Sequence, residues 1–230
     1  MKKHLLFILA ALLPLVASAQ TKVEIDGIWY NLTAETREAE VTFKGDNPFL
    51  GNDYSGSITL PATVTYGGVA YSVTSIGNGA FTGCYSLTAI TLPEGVTSIG
   101  EGAFEDCSSL TAITIPEGVT SIGDWAFYGC SALKSITCKA VTPPTIENKY
   151  TFKEVEKSIP VYVPAGSVEA YKEAQYWSDF TNIIGIEAGI ENSEIRNENS
   201  TIIYDLHGRR VAHPTKSGIY IVGGKKVVIK

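Results

Sequence analysis

Few side chains in this sequence are equipped for chemistry, and their positions limit which chemistry is open. Nucleophilic and general-base catalysis most often uses a histidine. Of the three here, His4 lies in an apolar N-terminal segment, while His207 and His213 lie within the last thirty residues. No G-x-S-x-G elbow, phosphate-cradling glycine loop, C-x-x-C pair or H-E-x-x-H word occurs. Catalysis by paired carboxylates needs no histidine, so the acids are the remaining candidates. Glu101 and Asp124 recur at one spacing, and Glu94 and Glu117 at the same spacing. Stacked in that way they could offer oxygen ligands to Ca²⁺. Both pairs sit in glycine- or proline-containing turn words, where solvated turn residues are the expected reading. The sequence therefore predicts a protein that is not an enzyme and has no cofactor and no bound metal.

The cysteines lead to the elements that carry them. Cys84, Cys107 and Cys130 occupy equivalent places in three near-identical segments, residues 73–95, 96–118 and 119–141, each 23 residues long and joined without an insertion. A constant period of this length marks a solenoid. The apolar set recurs, as Val96, Ile99, Ala103, Phe104, Cys107, Leu110, Ile113 and Ile115 in the middle segment. Because the cysteines belong to that set, and Cys138 replaces Leu92 and Ile115, all four read as small buried hydrophobes and not as disulfides. Leu110, Ile113 and Ile115 give the L-x-x-I-x-I spacing of a short strand with alternate side chains inward. Thr91, Thr114 and Thr137 should then form an outward column on adjacent strands. Val-Thr-Ser-Ile-Gly reads as a second extended piece, and Gly-x-x-Ala-Phe as a tight or helical turn. One repeat cannot bury its own apolar face, so stacked neighbours must complete it.

The VTSIG..AF..C.SL..I..P unit resembles the BspA-type leucine-rich repeats of secreted and cell-surface proteins, closely over residues 73–141 and more loosely over 23–186. The resemblance implies surface interaction or adhesion and no chemistry. The fold class expected is mainly β with short helices: a leucine-rich-repeat-like parallel solenoid of 23-residue coils, capped at both ends, plus a small C-terminal β unit.

Residues 1–19 combine Lys2 and Lys3, an apolar run and Ala17-Ser18-Ala19, the three parts of a signal peptide. With that segment removed, no transmembrane span is expected in the mature chain. The repeat domain then runs over 20–186. EIDGIWYNL and EVTFKG read as strands, and residues 57–61 as the end of a partial first coil followed by a hairpin at Gly67-Gly68. At the other end Pro143-Pro144 should stop the repeat. A strand at 161–163 and a helix over 168–177, with Ser167 as N-cap and Ala170, Ala174 and Trp177 on one face, would follow. Residues 187–200 read as a polar linker. Residues 201–230 resemble the C-terminal sorting tails of type IX secretion, in the words YDLHGRRV and GIYIV, which implies secretion machinery as a partner. Residues 20–200 carry 10 basic and 23 acidic side chains, whereas 201–230 carry 6 and 1. An acidic body argues against nucleic acid.

These readings converge on a secreted or surface-displayed, non-catalytic module that binds a protein or glycan partner. The alternatives are a secreted glycan- or peptide-directed hydrolase using carboxylates on the concave face, or a structural surface-layer component. Differences among the repeats locate the candidate binding residues. Trp125 replaces Gly79 and Gly102, Tyr128 replaces Thr82 and Glu105, and Tyr85 replaces the serines at 108 and 131. Exposed aromatics at variable positions are candidate hot spots, unless Trp125 packs under the segment that closes the stack. The threonine column of Thr91, Thr114 and Thr137 is the other candidate surface.

Overall fold

The computed structural model describes residues 20–48 and 52–186, and beyond them the backbone of four strands between residues 203 and 229. The expected signal peptide and linker lie outside the described residues. The chain divides into two compact units, residues 1–186 and 187–230.

The first unit begins with an antiparallel meander, β1 (Gln20–Ile25), β2 (Ile28–Thr33) and β3 (Glu38–Thr42). Asp26 and Gly27 both have positive φ, as a two-residue hairpin turn requires. After β4 (Gly56–Thr59), a hairpin of β5 (Thr63–Tyr66) and β6 (Val69–Ile76) leads into the repeats. The coils then alternate two short strands: β7 (Leu87–Thr91), β8 (Ser98–Ile99), β9 (Ala112–Ile115), β10 (Ser121–Ile122), β11 (Ser135–Cys138), β12 (Thr145–Ile146) and β13 (Val161–Pro164). Helix α1 (Val168–Glu173) and β14 (Ile183–Ile186) close the unit.

Strands β6, β8 and β10 of the Val-Thr-Ser-Ile words pair in parallel, extended by β3 and β12 to the order β3-β6-β8-β10-β12, with Ile76, Ile99, Ile122 and Ile146 in one register column. Strands β7, β9 and β11 of the repeats pair in parallel with one another or with flanking strands, as β4-β7 and as β9-β11-β13-β14. The third side of each coil is the Ala-Phe turn segment, which is also laddered. Phe81 N–H donates to Ala103 O at 2.8 Å, Phe104 N–H to Ala126 O at 2.8 Å, and Phe127 N–H to Thr151 O at 2.9 Å. Three ladders per coil satisfy the backbone where the solenoid is densest.

One phenylalanine per coil forms a continuous column in the core. Phe81, Phe104, Phe127 and Phe152 stack with ring centroids 5.1–5.3 Å apart and planes within 11° of parallel. Tyr54 continues the column at its N-terminal end, and Trp177 and Phe180 pack on Phe152 at the other. Gly100 and Gly123, the glycines that end two Val-Thr-Ser-Ile-Gly words, are fixed by this stacking. A Cβ on Gly123 would stand 2.5 Å from the backbone nitrogen of Glu101, and one on Gly100 2.7 Å from that of Asn78. Close approach of one coil's backbone to the next, and not an unusual φ, demands glycine there.

The stack is longer than its sequence suggests. The expected partial first coil is completed by β3, so residues 38–61 run from one strand set to the other. Pro143 and Pro144 do not stop the repeat, because the ladder needs its donors just after them. Thr145 N–H bonds Thr120 O at 2.9 Å and Glu147 N–H bonds Ile122 O at 3.3 Å. Residues 142–164 therefore form a further coil. Thr151 stands there in the place of the core alanine, its buried hydroxyl donating to Gly123 O at 3.0 Å.

The expected helix over 168–177 ends at Glu173, because Ala174 is extended with ψ 135. Ser167 stands at the N-cap position of α1, as expected, but it also closes a 3-10 turn, has φ −104 and ψ −4, and makes no cap hydrogen bond with its side chain. Ala170 is exposed and Ala174 half-buried, while Tyr171 and Trp177 are buried. Tyr171 Oη donates to Ala140 O at 2.8 Å, and Trp177 Nε1 to Pro144 O at 2.9 Å. These bonds seal the end of the core.

The second unit holds β15 (Ile203–Asp205), β16 (Arg210–Val211), β17 (Gly218–Val222) and β18 (Lys225–Ile229), an antiparallel sheet in the order β16-β15-β17-β18. Gly223-Gly224, expected as a hairpin turn, lies outside the described residues.

Candidate functional site

The turn side of the coils is organised around the phenylalanine column. Two residues before each phenylalanine stand Gly79, Gly102, Trp125 and Tyr150; one residue after it stand Thr82, Glu105, Tyr128 and Lys153; two after it stand Gly83, Asp106, Gly129 and Glu154. The last of these positions has φ between 57 and 70 in all four coils. The first has φ 62 at Gly79, 58 at Gly102 and 53 at Trp125. A left-handed backbone costs an L-residue about 1–2 kcal/mol and glycine little. Trp125 thus occupies a strained position that the two preceding coils leave to glycine.

The strain does not place Trp125 in the core. It is 40% exposed, and its ring meets Tyr150 of the next coil, 37% exposed, with centroids 6.4 Å apart. Asp124 Oδ1 accepts the Trp125 N–H at 2.8 Å and helps hold the turn. Tyr128, half-buried, donates its hydroxyl to Glu154 Oε1 at 3.1 Å, a bond that also raises its phenol pKa. Lys153 Nζ lies 5.3 Å from the Tyr128 ring centre and 5.8 Å from that of Tyr150; Lys149 Nζ lies 5.2 Å from Tyr150. Trp125 and Tyr128 therefore share one surface with Tyr150. Sequence reasoning missed Tyr150, and aligning Phe152 with Phe127 would have found it.

Tyr85 is separate, 62% exposed, on the rim of a groove of about 440 Å³ in the same side of the stack. Asn52, Asp53, Glu105 and Asp106 also line it. Asn52 is structural, its amide donating to the carbonyls of Gly79, Ala80 and Thr82 at 3.1–3.3 Å. Asp53 pairs with Lys44 at 2.8 Å. The Glu105 carboxyl is pushed above the ordinary carboxylate value by burial and then by Asp106 and Glu101 beside it. Groove and aromatic pair belong to one ladder: Gly83 N–H donates to Glu105 O, Asp106 N–H to Tyr128 O, and Gly129 N–H to Lys153 O.

The threonine column forms only in part. Thr114 and Thr137 share a register while Thr91 pairs with Thr59 on β4; Thr91 is exposed, Thr114 half-buried and Thr137 only 5% exposed. The expectation of an outward Thr137 is corrected. Its register neighbour on the C-terminal side is Tyr162, which the sequence had not placed in a coil. Ala89, Ala112 and Ser135 beside the column are small. Of the recurring acids, Glu94 pairs with Lys139 at 2.6 Å, and Glu101 and Glu117 are exposed.

All four cysteines are buried and free. Cys107 and Cys130 point their thiols at Phe81 O and Phe104 O of the preceding coil, at 3.2 and 3.1 Å. Burial pushes the thiols of Cys84 and Cys130 up to about 12 and that of Cys138 to about 11. They are core residues that also close backbone acceptors.

Stacked parallel coils with an L-x-x-I-x-I strand and one aromatic column define a leucine-rich-repeat solenoid. The chain belongs to the BspA-type leucine-rich repeat family, whose profile, described as BspA type leucine rich repeat region, matches residues 45–176 in six copies. Among solved structures it is similar to a leucine-rich repeat protein from Bacteroides ovatus, with 39% identity and a TM-score of 0.52 over 64% of this chain and 36% of that one. It is similar to a second from Bacteroides capillosus, with 28% identity and a TM-score of 0.51 over 62% and 97%. A leucine rich cell surface protein from Faecalibacterium prausnitzii shares 26% identity with a TM-score of 0.50 over 73% and 43%. The chain spans about a third of the length of the Bacteroides ovatus protein. No curated protein matches it.

Proposed function

We propose that this chain is a secreted or surface-displayed, non-catalytic interaction module that binds a protein or glycan through the turn side of its coils. The observation that carries this reading is Trp125: an exposed tryptophan held at positive φ where the two preceding coils use glycine. Backbone strain at an exposed aromatic that the core does not need motivates a binding role. Tyr128 and Tyr150 adjoin it, and Tyr85 extends the surface. Membership of the repeat family and the cell-surface description of the Faecalibacterium relative support display outside the cytoplasm. Lys2, Lys3, the apolar run after them and Ala17-Ser18-Ala19 support export, and the words at 201–230 support a sorting role for that tail. Among the described residues, no helix is long and apolar enough to cross a membrane.

The test is binding of the purified chain to arrays of matrix proteins and polysaccharides, with a turnover assay on the same glycans and on peptides. A Trp125→Ala, Tyr128→Ala double variant is expected to keep its fold and lose saturable binding. Unchanged binding by that variant, or turnover of a substrate, would refute the reading. For the tail, deletion of residues 201–230 is expected to leave the protein in the periplasm, and unaltered surface delivery would refute sorting.

A further inference from the structure

We propose that the turn side takes an extended, uncharged glycan chain that crosses several coils, its sugar rings stacked on Tyr85 at one end and on Trp125 and Tyr150 at the other. This inference rests on the docking-surface reading above and narrows its ligand class.

The arrangement of the aromatics points to a chain-like ligand. Tyr85 and Tyr150 belong to coils three steps apart, each step 5.1–5.3 Å along the phenylalanine column, with Trp125 in a coil between them; Tyr85 follows its phenylalanine by four residues, whereas Trp125 and Tyr150 precede theirs by two. Their spacing is set by a rigid three-ladder backbone and not by mobile loops. A protein partner is usually anchored by a compact, desolvated centre ringed by near-neutral contacts. Here the rings are spread over several coils, and the groove beside Tyr85 is lined by carboxylates. An aromatic ring presents a flat apolar face that matches the C–H face of a pyranose, while its edge and hydroxyl remain polar.

The charges favour an uncharged sugar. Glu105 and Asp106 line the groove beside Tyr85, Asp124 and Glu154 flank Trp125 and Tyr128, and Lys149 and Lys153 lie over Tyr150. Sugar hydroxyls both donate and accept, so side chains of both signs are useful to them, and a carboxylate can accept from two adjacent hydroxyls at once. A polyanionic glycan would meet these carboxylates and the acidic excess of residues 20–200. Trp125 at its strained position is the ring the fold needs least and the stacking needs most.

The experiment is calorimetric titration of the full chain with length series of cellulose-, mannan- and xylan-derived oligosaccharides, hyaluronan oligosaccharides as the charged comparison, and matrix proteins as the protein comparison. Affinity for at least one uncharged series should rise with chain length until the aromatics are spanned and then level off, with little change on adding salt. Tyr85→Ala and Trp125→Ala should each lower it roughly tenfold or more, about 1.4 kcal/mol per tenfold. Tyr66→Ala, at an exposed aromatic on the β5–β6 hairpin, should leave it unchanged. Trp125→Gly, which removes the ring and suits the backbone, guards against loss through misfolding. Binding only of hyaluronan, or affinity that falls steeply with salt, overturns the uncharged class. Uncharged binding that ignores both Tyr85→Ala and Trp125→Ala overturns the site. A matrix protein that binds through Trp125 while no glycan does overturns the glycan inference and leaves the docking surface standing. Loss of Trp125 without effect on any bound ligand overturns both.

Discussion

Trp125→Gly and Trp125→Ala should have the opposite order of stability from the one ordinarily seen for this pair. Both variants lose the partial burial of the ring against Tyr150. For a side chain that is 40% exposed this is about 1–2 kcal/mol, around half the value of a fully buried large apolar group. The alanine variant keeps a Cβ at φ 53 and so keeps the left-handed penalty of about 1–2 kcal/mol. Glycine removes that penalty and adds its own backbone-entropy term of about 0.5–1 kcal/mol. Trp125→Gly should therefore be more stable than Trp125→Ala by roughly 1 kcal/mol, whereas an unstrained site would favour alanine by about 0.5–1 kcal/mol. Urea denaturation of both variants at equal m-value reads the difference as a midpoint shift of about 0.5 M, taking m near 2 kcal/mol/M. If Trp125→Ala proves the more stable, the backbone at 125 is not strained, and the case for a ring retained for binding falls with it. If both variants lose about 3 kcal/mol or more, in the range of a truncated core aromatic, the ring is a packing residue.

Phe104→Ala should lower stability by about 3–5 kcal/mol, since Phe104 is fully buried between Phe81 and Phe127; a loss under about 1 kcal/mol in denaturant melts would refute the column. Gly123→Ala should destabilise by about 1–3 kcal/mol or more through collision with the backbone of Glu101, while Gly166→Ala, where a Cβ meets nothing within 4 Å, should be near neutral in the same melts. The four thiols should be inert to a disulfide reagent at neutral pH in the native protein and all react in denaturant; rapid native labelling would contradict their burial and raised pKa values. Glu105 has a raised carboxyl pKa in the folded state, so its contribution is fully present below its ordinary value of 4.5 and is lost as pH rises through the folded value. Glu105→Gln should remove that loss and stabilise the protein above this window, and a melt series against pH that is unchanged by the substitution would refute the shift.

The repeat register was legible in the letters, because identical side chains at a fixed spacing leave one way to stack. Phe104, Cys107, Ile113 and Ile115 had to face one core once Val73–Ala140 was read as three copies, and they do. The coils at either end were not legible, for a physical reason: parallel ladders are completed by neighbours, so an end coil needs only a few correctly placed donors and apolar side chains. Residues 142–164 keep Ile146, Phe152, Val161 and Val163 in the core and satisfy the ladder at Thr145 and Glu147, while nearly every other letter has changed. The same divergence hid Tyr162 beside Thr137 and Tyr150 beside Trp125. By itself the sequence determined a right-sized apolar period, four non-bridging cysteine positions and three aromatics that break the pattern. Only the tertiary structure decided that Trp125 stands at a left-handed position, that Tyr150 meets it from the next coil, and that Thr137 is covered. Backbone dihedrals and contacts between coils arise from stacking, which no single repeat contains.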